Sequence, residues 1–175
     1  MFQKLLVVLL GSLGCVAAGA AQQAPSADFS LGYSYLREGF TDGANANGGS
    51  LALTVYPKDW LGITGDFGVY HTSISGVSAD TYTYMAGPRF AYHRERRVSP
   101  FAQAMFGGAR LTAGAAGVSA STNGFAWSAG GGLDLSLTRH IAFRPQFDYI
   151  GIHASGGTLN SARASVSIVF RFGSS

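Results

Sequence analysis

The last segment of the chain constrains the fold more than any other stretch. Apolar residues occupy every second position from Ala162 to Phe172, and the positions between them hold Arg163, Ser165, Ser167, Val169 and Arg171. A period of two places successive side chains on opposite faces of a β-strand. Two arginines opposite a continuous apolar row therefore predict a strand with one face in an oily medium and the other in a polar one.

The start of the chain indicates a secretory signal peptide over residues 1–21. Lys4 precedes an apolar run that continues through Val16, and small residues follow up to Ala21. A charged start, a short apolar core and small residues before the cleavage point, after Ala20 or Ala21, are the marks of such a peptide. Two alternatives are a membrane anchor, for which the core is shorter than the roughly 20 residues of a spanning helix, and a lipoprotein acylated on Cys15. The mature chain then has no cysteine and no disulfide.

The composition narrows the class of protein. Without Lys4 the chain keeps 11 basic and 9 acidic residues, a net charge of +2 that does not suit a nucleic-acid-binding protein. The 25 glycines are about twice the usual share of ~7 % and disfavour helices. Aromatic residues make up 13 % of the chain and charged residues only 12 %. This composition behind a signal peptide is typical of membrane barrels, whose strands alternate instead of forming one long apolar block.

Eight segments show the alternation expected of barrel strands. The residues predicted to face lipid before the last segment are Phe29, Leu31, Tyr33 and Tyr35; Leu51, Leu53 and Val55; Leu61, Ile63, Phe67 and Val69; Tyr82, Tyr84, Ala86, Phe90 and Tyr92; Phe101, Met105, Ala109 and Leu111; Phe125, Trp127, Ala129, Leu133, Leu135 and Leu137; Ile141, Phe143, Pro145, Phe147 and Tyr149. In the fifth segment this phase places Ala102, Ala104 and Arg110 inside the barrel and Gln103 on the lipid side.

The connections between the segments alternate in length. Three are short or charged, at residues 57–59, 93–99 and 138–140, and four are longer and rich in small polar residues, at 37–48, 71–79, 112–123 and 153–160. Short periplasmic turns that alternate with longer extracellular loops are the plan of an up-and-down outer-membrane barrel. The sequence therefore predicts an all-β fold, an eight-stranded antiparallel transmembrane β-barrel over residues 28–172, with a linker at 22–27 and a tail at 173–175.

Several short motifs give the chain a family resemblance over residues 28–172. They are the Ala86-Gly87-Pro88-Arg89 step, the Pro100-Phe101 strand start, the Gly130-Gly131-Gly132-Leu133-Asp134 run and the aromatic last strand. With these features the chain resembles the small eight-stranded barrels of the bacterial outer membrane that include the transmembrane domain of outer-membrane protein A. The resemblance implies an integral outer-membrane protein that is a monomer in contact with outer-membrane lipids. Nothing in the chain resembles the peptidoglycan-binding domain of some relatives.

The last strand also resembles the assembly signal of these barrels, in which a polar residue and a Gly precede two aromatic residues spaced by one. Ser165, Ser167, Phe170 and Phe172 stand at those positions, with Ser167 in the place of the Gly. The resemblance implies that the barrel-assembly machinery recognises this strand.

The charged residues of the strands fall on the predicted inner face. Each of them would cost about 2 to 4 kcal/mol on the lipid face near the midplane, so the phase that hides them all is preferred. The predicted set is Asp66, Arg89, Arg110, Asp134, Arg144, Asp148, Arg163 and Arg171. An eight-stranded barrel encloses a lumen just wide enough for side chains, which predicts a salt-bridged plug. An ion-conducting path and a ligand site are the alternatives.

The catalytic and metal-binding signals are weak. His71 with Ser73, and His153 with Ser155, show a His-x-Ser spacing that resembles outer-membrane lipid A deacylases. Such an enzyme needs an acid to orient the histidine, and only Asp80 lies near one of these pairs in the sequence. No metal site, cofactor or phosphate-binding loop is predicted. We therefore expect a non-enzymatic structural or surface-interaction protein of the outer membrane, whose surface ligand the sequence does not identify. The alternatives are a narrow porin-like channel and a lipid A-modifying enzyme.

Overall fold

The protein is a closed barrel of eight antiparallel β-strands. A computed structural model describes residues 26–38, 45–74, 77–92, 97–115, 118–154 and 157–173. The strands are β1 (Ser26–Glu38), β2 (Asn45–Lys58), β3 (Leu61–Ile74), β4 (Val77–Ala91), β5 (Val98–Ala115), β6 (Val118–Ser136), β7 (Ile141–Ala154) and β8 (Gly157–Phe172). Each strand pairs with its neighbour in the chain, and β8 pairs with β1 to close the sheet. The predicted fold class is confirmed. In the described ranges there is no helix of the length and apolarity needed to cross a membrane.

The barrel begins slightly earlier than the sequence predicts. Ser26 and Ala27, which the sequence placed in the linker, belong to β1 and pair with Tyr56 and Val55 of β2. The predicted signal peptide and the first part of the linker lie outside the described residues.

Seven of the eight strands have the phase that the sequence predicts. In β1, Leu31 and Tyr33 are more than half exposed on the outer face, whereas Ser30 and Ser34 are buried on the inner face. The last strand alternates in the same way, with Val166, Ile168 and Phe170 exposed and the residues between them buried. A large apolar side chain can stay exposed on the outer face of such a barrel because lipid, and not water, surrounds it.

The predicted phase of β5 is wrong. Phe101, Met105 and Ala109 are buried on the inner face together with Gln103, whereas the side chains of Ala102 and Phe106 are exposed on the outer face. The apolar signal misleads here because both faces of β5 are apolar: the inner face packs into the lumen, and the outer face meets lipid.

Arg110 follows the corrected phase and lies on the outer face, not in the lumen. It is exposed, and its register partners are Tyr82 of β4 and Asn123 of β6. Its Nη2 atom donates to Ser121 Oγ at 3.5 Å. Arg110 is therefore at the end of the barrel, beyond the outer apolar residues, where the cost of a charge on the outer face falls to about 0 to 1 kcal/mol.

The four longer connections are mostly strand. Segments that the sequence assigned to loops continue the barrel to Glu38, Ile74, Ala115 and Ala154, so that only residues 39–44, 75–76, 116–117 and 155–156 separate the paired strands at this end. These segments lose the apolar alternation because they extend past the membrane. We call this end the loop end and the opposite one, with both termini, the turn end. The sequence prediction, with short periplasmic turns and longer extracellular connections, expects the loop end outside the cell and the turn end in the periplasm.

Candidate functional site

The candidate site is the lumen, where buried charged side chains from six strands meet. Seven of the eight residues predicted there lie on the inner face: Asp66, Arg89, Asp134, Arg144, Asp148, Arg163 and Arg171. All but Arg171, which is 13 % exposed, are nearly or fully buried. They form two arginine-centred clusters, and a glutamine joins the first of these clusters to Arg89.

Arg163 of β8 is the centre of the first cluster. Its Nη1 atom donates to Asp66 Oδ1 at 2.8 Å and to the hydroxyl of Tyr70 at 3.1 Å. Its Nη2 and Nε atoms donate to Asp148 Oδ2 at 2.8 and 3.0 Å. Asp148 is on the adjacent strand β7, but Asp66 is on β3, which is not a neighbour of β8. The Arg163–Asp66 pair therefore crosses the lumen.

Arg144 of β7 is the centre of the second cluster. Both its Nε and Nη2 atoms donate to the carboxylate of Asp134, the second at 2.8 Å, and Nη2 also lies 3.5 Å from Asp28 Oδ2. Arg171 lies 3.4 Å from the same Asp134 carboxylate and donates to Ser136 Oγ at 2.8 Å. Asp134 thus pairs with two arginines, and this group of charges lies near the turn end of the lumen.

Gln103 of β5 connects the first cluster to Arg89. Its Oε1 atom accepts from Nε and Nη2 of Arg89 at 3.0 and 2.6 Å, and its Nε2 atom donates to Asp148 Oδ1 at 3.1 Å. The guanidinium groups of Arg89 and Arg144 both lie against the ring of Phe101, at 4.4 and 5.1 Å from its centroid. Such a contact gives each cation an attractive electrostatic interaction in addition to its hydrogen bonds.

Asp28 and Gln103 belong to the network but are absent from the predicted set. Asp28 is buried and lies in phase with Ser30 and Ser34, so the alternation of β1 could have identified it. Gln103 was missed because the predicted phase of β5 placed it on the lipid side. Both are buried polar groups that would be costly without their partners.

A glycine in the Gly130-Gly131-Gly132 run leaves room for the network. A Cβ atom at Gly130 would lie 2.5 Å from Asp148 Oδ1 and 2.3 Å from the carbonyl oxygen of Phe147. At Gly132 it would lie 2.9 Å from the ring of Phe101. The run therefore lets β6 and β7 approach while the inner face holds large side chains.

An apolar layer fills the lumen on the extracellular side of the charged clusters. Its buried members are Leu36, Ala46, Tyr70, Met85, Met105, Ala109, Ala126, Ile150 and Ile152, with Leu111 and Leu159 packed against them. A smaller apolar cluster of Tyr56, Ala91 and Phe101 lies towards the turn end. The charged clusters thus share the lumen with the larger apolar layer and, near the turn end, lie at the level of the smaller cluster.

The outer face at the loop end carries polar contacts. The Tyr33 and Tyr35 hydroxyls donate to Asn47 and Asn45 at 2.8 and 2.7 Å. His71 Nδ1 lies 2.7 Å from Asp80 Oδ1, and both side chains are exposed.

Neither His-x-Ser pair of the sequence is described completely. The side chain of Ser73 and all of Ser155 lie outside the described residues, and His153 is exposed on the outer face. Asp80 supplies the acid for His71, so this pair has the acid and the base of such a motif. The described residues contain no group of three His, Cys, Asp or Glu side chains that could hold a metal.

The four residues of the predicted assembly signal divide between the two faces of β8. Ser165 and Ser167 are buried on the inner face, whereas Phe170 and Phe172 are 39 % and 58 % exposed on the outer face. Phe170 pairs in register with Phe29 of β1, so these residues lie at the seam that closes the barrel.

These features together define an integral protein of the outer membrane: a closed barrel with an apolar outer surface and its charges enclosed. Residues 6–172 match the family described as outer membrane protein beta-barrel domain, and the chain belongs to that family. No curated protein matches the chain significantly.

Solved structures share the fold at low sequence identity. Neisserial surface protein A (NspA) has a TM-score of 0.74 at 12 % identity, over 83 % of this chain and 97 % of that one. Ail, the attachment invasion locus protein of Yersinia pestis, solved with the heparin analogue sucrose octasulfate, has a TM-score of 0.63 at 18 % identity, over 85 % and 99 %. OprG of Pseudomonas aeruginosa has a TM-score of 0.55 at 11 % identity, over 87 % and 98 %.

Proposed function

We propose that this protein is a structural or surface-interaction barrel whose lumen is closed by its own side chains. The observation that carries the proposal is the pair of layers that fills the lumen. Arg89, Arg144 and Arg163 are each only 1 % exposed, and Met105 and Tyr70 in the layer above them are fully buried. An ion would have to break paired charges and then cross an apolar layer, so the narrow porin-like channel is the less favoured function.

Planar-bilayer recording tests the closed lumen. The folded protein should give no discrete conductance steps above the leak of the lipid bilayer. Met105→Ala with Tyr70→Ala removes bulk from the apolar layer and should raise the leak, whereas Phe106→Ala, on the outer face beside Met105, should not. Regular open and closed steps from the unmodified protein would support the porin-like channel instead.

The surface-interaction role is supported by the polar outer face of the loop end, where the sheet continues past the membrane. Arg37 on β1 and Arg110 on β5 stand on opposite sides of the barrel and do not form a cationic cluster. A surface that binds a polyanion, such as the heparin analogue found with Ail, requires clustered Lys and Arg side chains. Contacts at this surface should therefore depend weakly on salt and use groups such as Asn45, Asn47 and His71.

Attachment of cells that express the protein tests this role. The triple variant Asn45→Ala, Asn47→Ala, His71→Ala should lower attachment to a responsive surface while the barrel still folds, and 0.5 M NaCl should change the attachment of the parent protein little. Equal attachment of variant and parent would leave a purely structural role.

The proposal includes no catalytic role. The His71–Asp80 pair is the observation that keeps the lipid A-modifying alternative open to test. Mass analysis of lipid A from cells with and without the protein should show the same acyl chains. A loss of one acyl chain that disappears in the variant His71→Ala would establish the enzyme and overturn this part of the proposal.

We propose that the barrel-assembly machinery recognises β8 through Ser165, Ser167, Phe170 and Phe172, and that the protein is a monomer in outer-membrane lipid. The support is the exposure of both aromatic side chains at the seam with β1. Phe172→Ala should slow assembly in cells, seen as unfolded protein on unheated gels, and should leave refolding in detergent almost unchanged.

A further inference from the structure

Exposed cations surround the turn end of the barrel. Lys58 ends β2, Arg97 precedes β5, and Arg139 lies between β6 and β7; all three are exposed. The carbonyl oxygen of Arg97 accepts from the backbone N–H of Ser136 at 2.8 Å, so Arg97 lies beside the turn that holds Arg139. Among the described turn residues, Asp59 is the single acidic one. We call Lys58, Arg97 and Arg139 the basic collar.

Aromatic side chains fix the depth of the basic collar in the membrane. Lys58 Nζ lies 5.6 Å from the centroid of the Trp60 ring, and Trp60 stacks on Phe90 with a centroid distance of 6.2 Å. Trp60, Phe90 and Tyr92 are 53 %, 49 % and 65 % exposed on the outside of the barrel. Trp and Tyr at such positions sit at the level of the lipid headgroups. The ammonium group of Lys58 is therefore at the depth of the phosphates of the periplasmic leaflet.

We propose that the basic collar binds anionic phospholipid headgroups, of the phosphatidylglycerol type, in the periplasmic leaflet. This inference goes beyond the proposed function and rests on the outer-membrane location and on charge complementarity. Three cations against one carboxylate give the described turns an excess of positive charge. Each Lys or Arg held near an anionic lipid surface favours that lipid about fivefold over a neutral one. The bound anionic lipids would form part of the shell around the turn end.

Tryptophan quenching by brominated lipids measures this preference at the collar itself. The chain has two tryptophans, Trp60 beside the collar and Trp127 on β6. In the variant Trp127→Phe, fluorescence reports only the lipid next to Trp60. Vesicles that contain brominated phosphatidylglycerol or brominated phosphatidylcholine should give association constants that differ about fivefold in favour of phosphatidylglycerol in 50 mM NaCl. The ratio should fall towards one in 1 M NaCl because salt screens exposed charges.

Matched variants separate the collar from other causes of a lipid preference. Lys58→Gln, Arg97→Gln and Arg139→Gln together should bring the ratio close to one, with the barrel still folded by its mobility on unheated gels. Arg37→Gln with Arg110→Gln removes charge at the opposite end and should leave the ratio unchanged. A ratio of one in the parent, or a preference that survives 1 M NaCl or the triple variant, would overturn the proposal. If the basic collar instead binds a periplasmic protein or polymer, the parent protein should give a ratio of one.

Discussion

At the scale of single residues, the buried charges of the lumen are tolerated because each is paired with an opposite charge or a hydrogen-bond partner. Four arginines and four aspartates are enclosed there, and hydrogen bonds between them reach from β1 and β3 to β7 and β8. Buried ion pairs contribute little net stability against an apolar alternative, but the loss of one partner leaves a buried charge without compensation. The arginines should therefore be far less tolerant of substitution than the residues of the outer face.

Arg144→Ala should lower the free energy of unfolding by roughly 3 to 5 kcal/mol, because Asp134 and Asp28 lose a partner while they stay buried. Urea titration of the protein in detergent micelles measures the change. Arg110→Ala is the matched control: Arg110 is exposed on the outer face, and its loss should change stability by less than about 0.5 kcal/mol. Equal midpoints for Arg144→Ala and the parent would mean that water reaches the lumen and solvates these charges.

Gly130→Ala should destabilise the barrel by about 1 to 3 kcal/mol, since the new methyl group would overlap the Asp148 carboxylate and the Phe147 carbonyl. Gly65→Ala provides the comparison, because a Cβ atom there meets nothing within 4 Å. That change should be neutral or slightly stabilising through the unfolded chain. The same urea titration decides the matter, and similar losses for both variants would contradict the packing assigned to Gly130.

At the scale of the strands, β5 shows how an apolar lumen alters the alternation. In the other strands the inner face is mostly polar or small, so lipid alone sets the pattern. In β5 the inner face holds Phe101 and Met105, and the outer face holds small residues such as Ala102. Over part of β5 the inner face is therefore more apolar than the outer face, which is the reverse of the usual pattern.

Single cysteines can measure the phase of β5 directly, because the described residues contain none. A spin label at Phe106→Cys should be accessible to oxygen dissolved in the lipid. A label at Met105→Cys should be accessible neither to oxygen nor to a water-soluble nickel reagent. The reverse result would restore the phase that the sequence predicts, with Met105 towards lipid.

Most of the fold could be predicted from the sequence, and the exceptions have physical causes. The phases of seven strands follow from the difference between lipid and lumen, which acts on every residue inside the membrane. The strand ends at Glu38 and Ala115 could not be predicted, because outside the lipid both faces of a strand meet water. Among the residues of the network, the inward position of Asp28 could be predicted from the alternation of β1 alone. The partners of Arg163 could not be found, because Asp66 is distant in sequence and meets it only across the closed barrel.

At the scale of the whole molecule, closure through β1 and β8 leaves no free sheet edge, as a membrane requires. The outer surface is apolar in the middle, aromatic near the turn end and polar at the loop end. This order positions the barrel in the outer membrane and exposes the loop end to the surroundings of the cell.

The purified protein should need detergent to stay in solution and should migrate faster on gels before boiling than after it, because a closed barrel stays compact in the gel sample. The shift should disappear at a sharp temperature when the sample is heated in steps, since the barrel closes and opens as one unit. A protein that stays soluble and monodisperse without detergent would contradict the membrane location.

Proton exchange at the arginine side chains tests the filled lumen most directly. The Nε–H groups of Arg163, Arg144 and Arg89 all donate inside the lumen, to Asp148, Asp134 and Gln103. In a nuclear magnetic resonance spectrum of the labelled protein in micelles at pH 8, these three signals should persist and exchange slowly with water. The signals of Arg37 and Arg110, which are exposed, should be lost to fast exchange under the same conditions. Exchange at Arg163 and Arg144 as fast as at Arg110 would show a water-filled lumen and contradict the account.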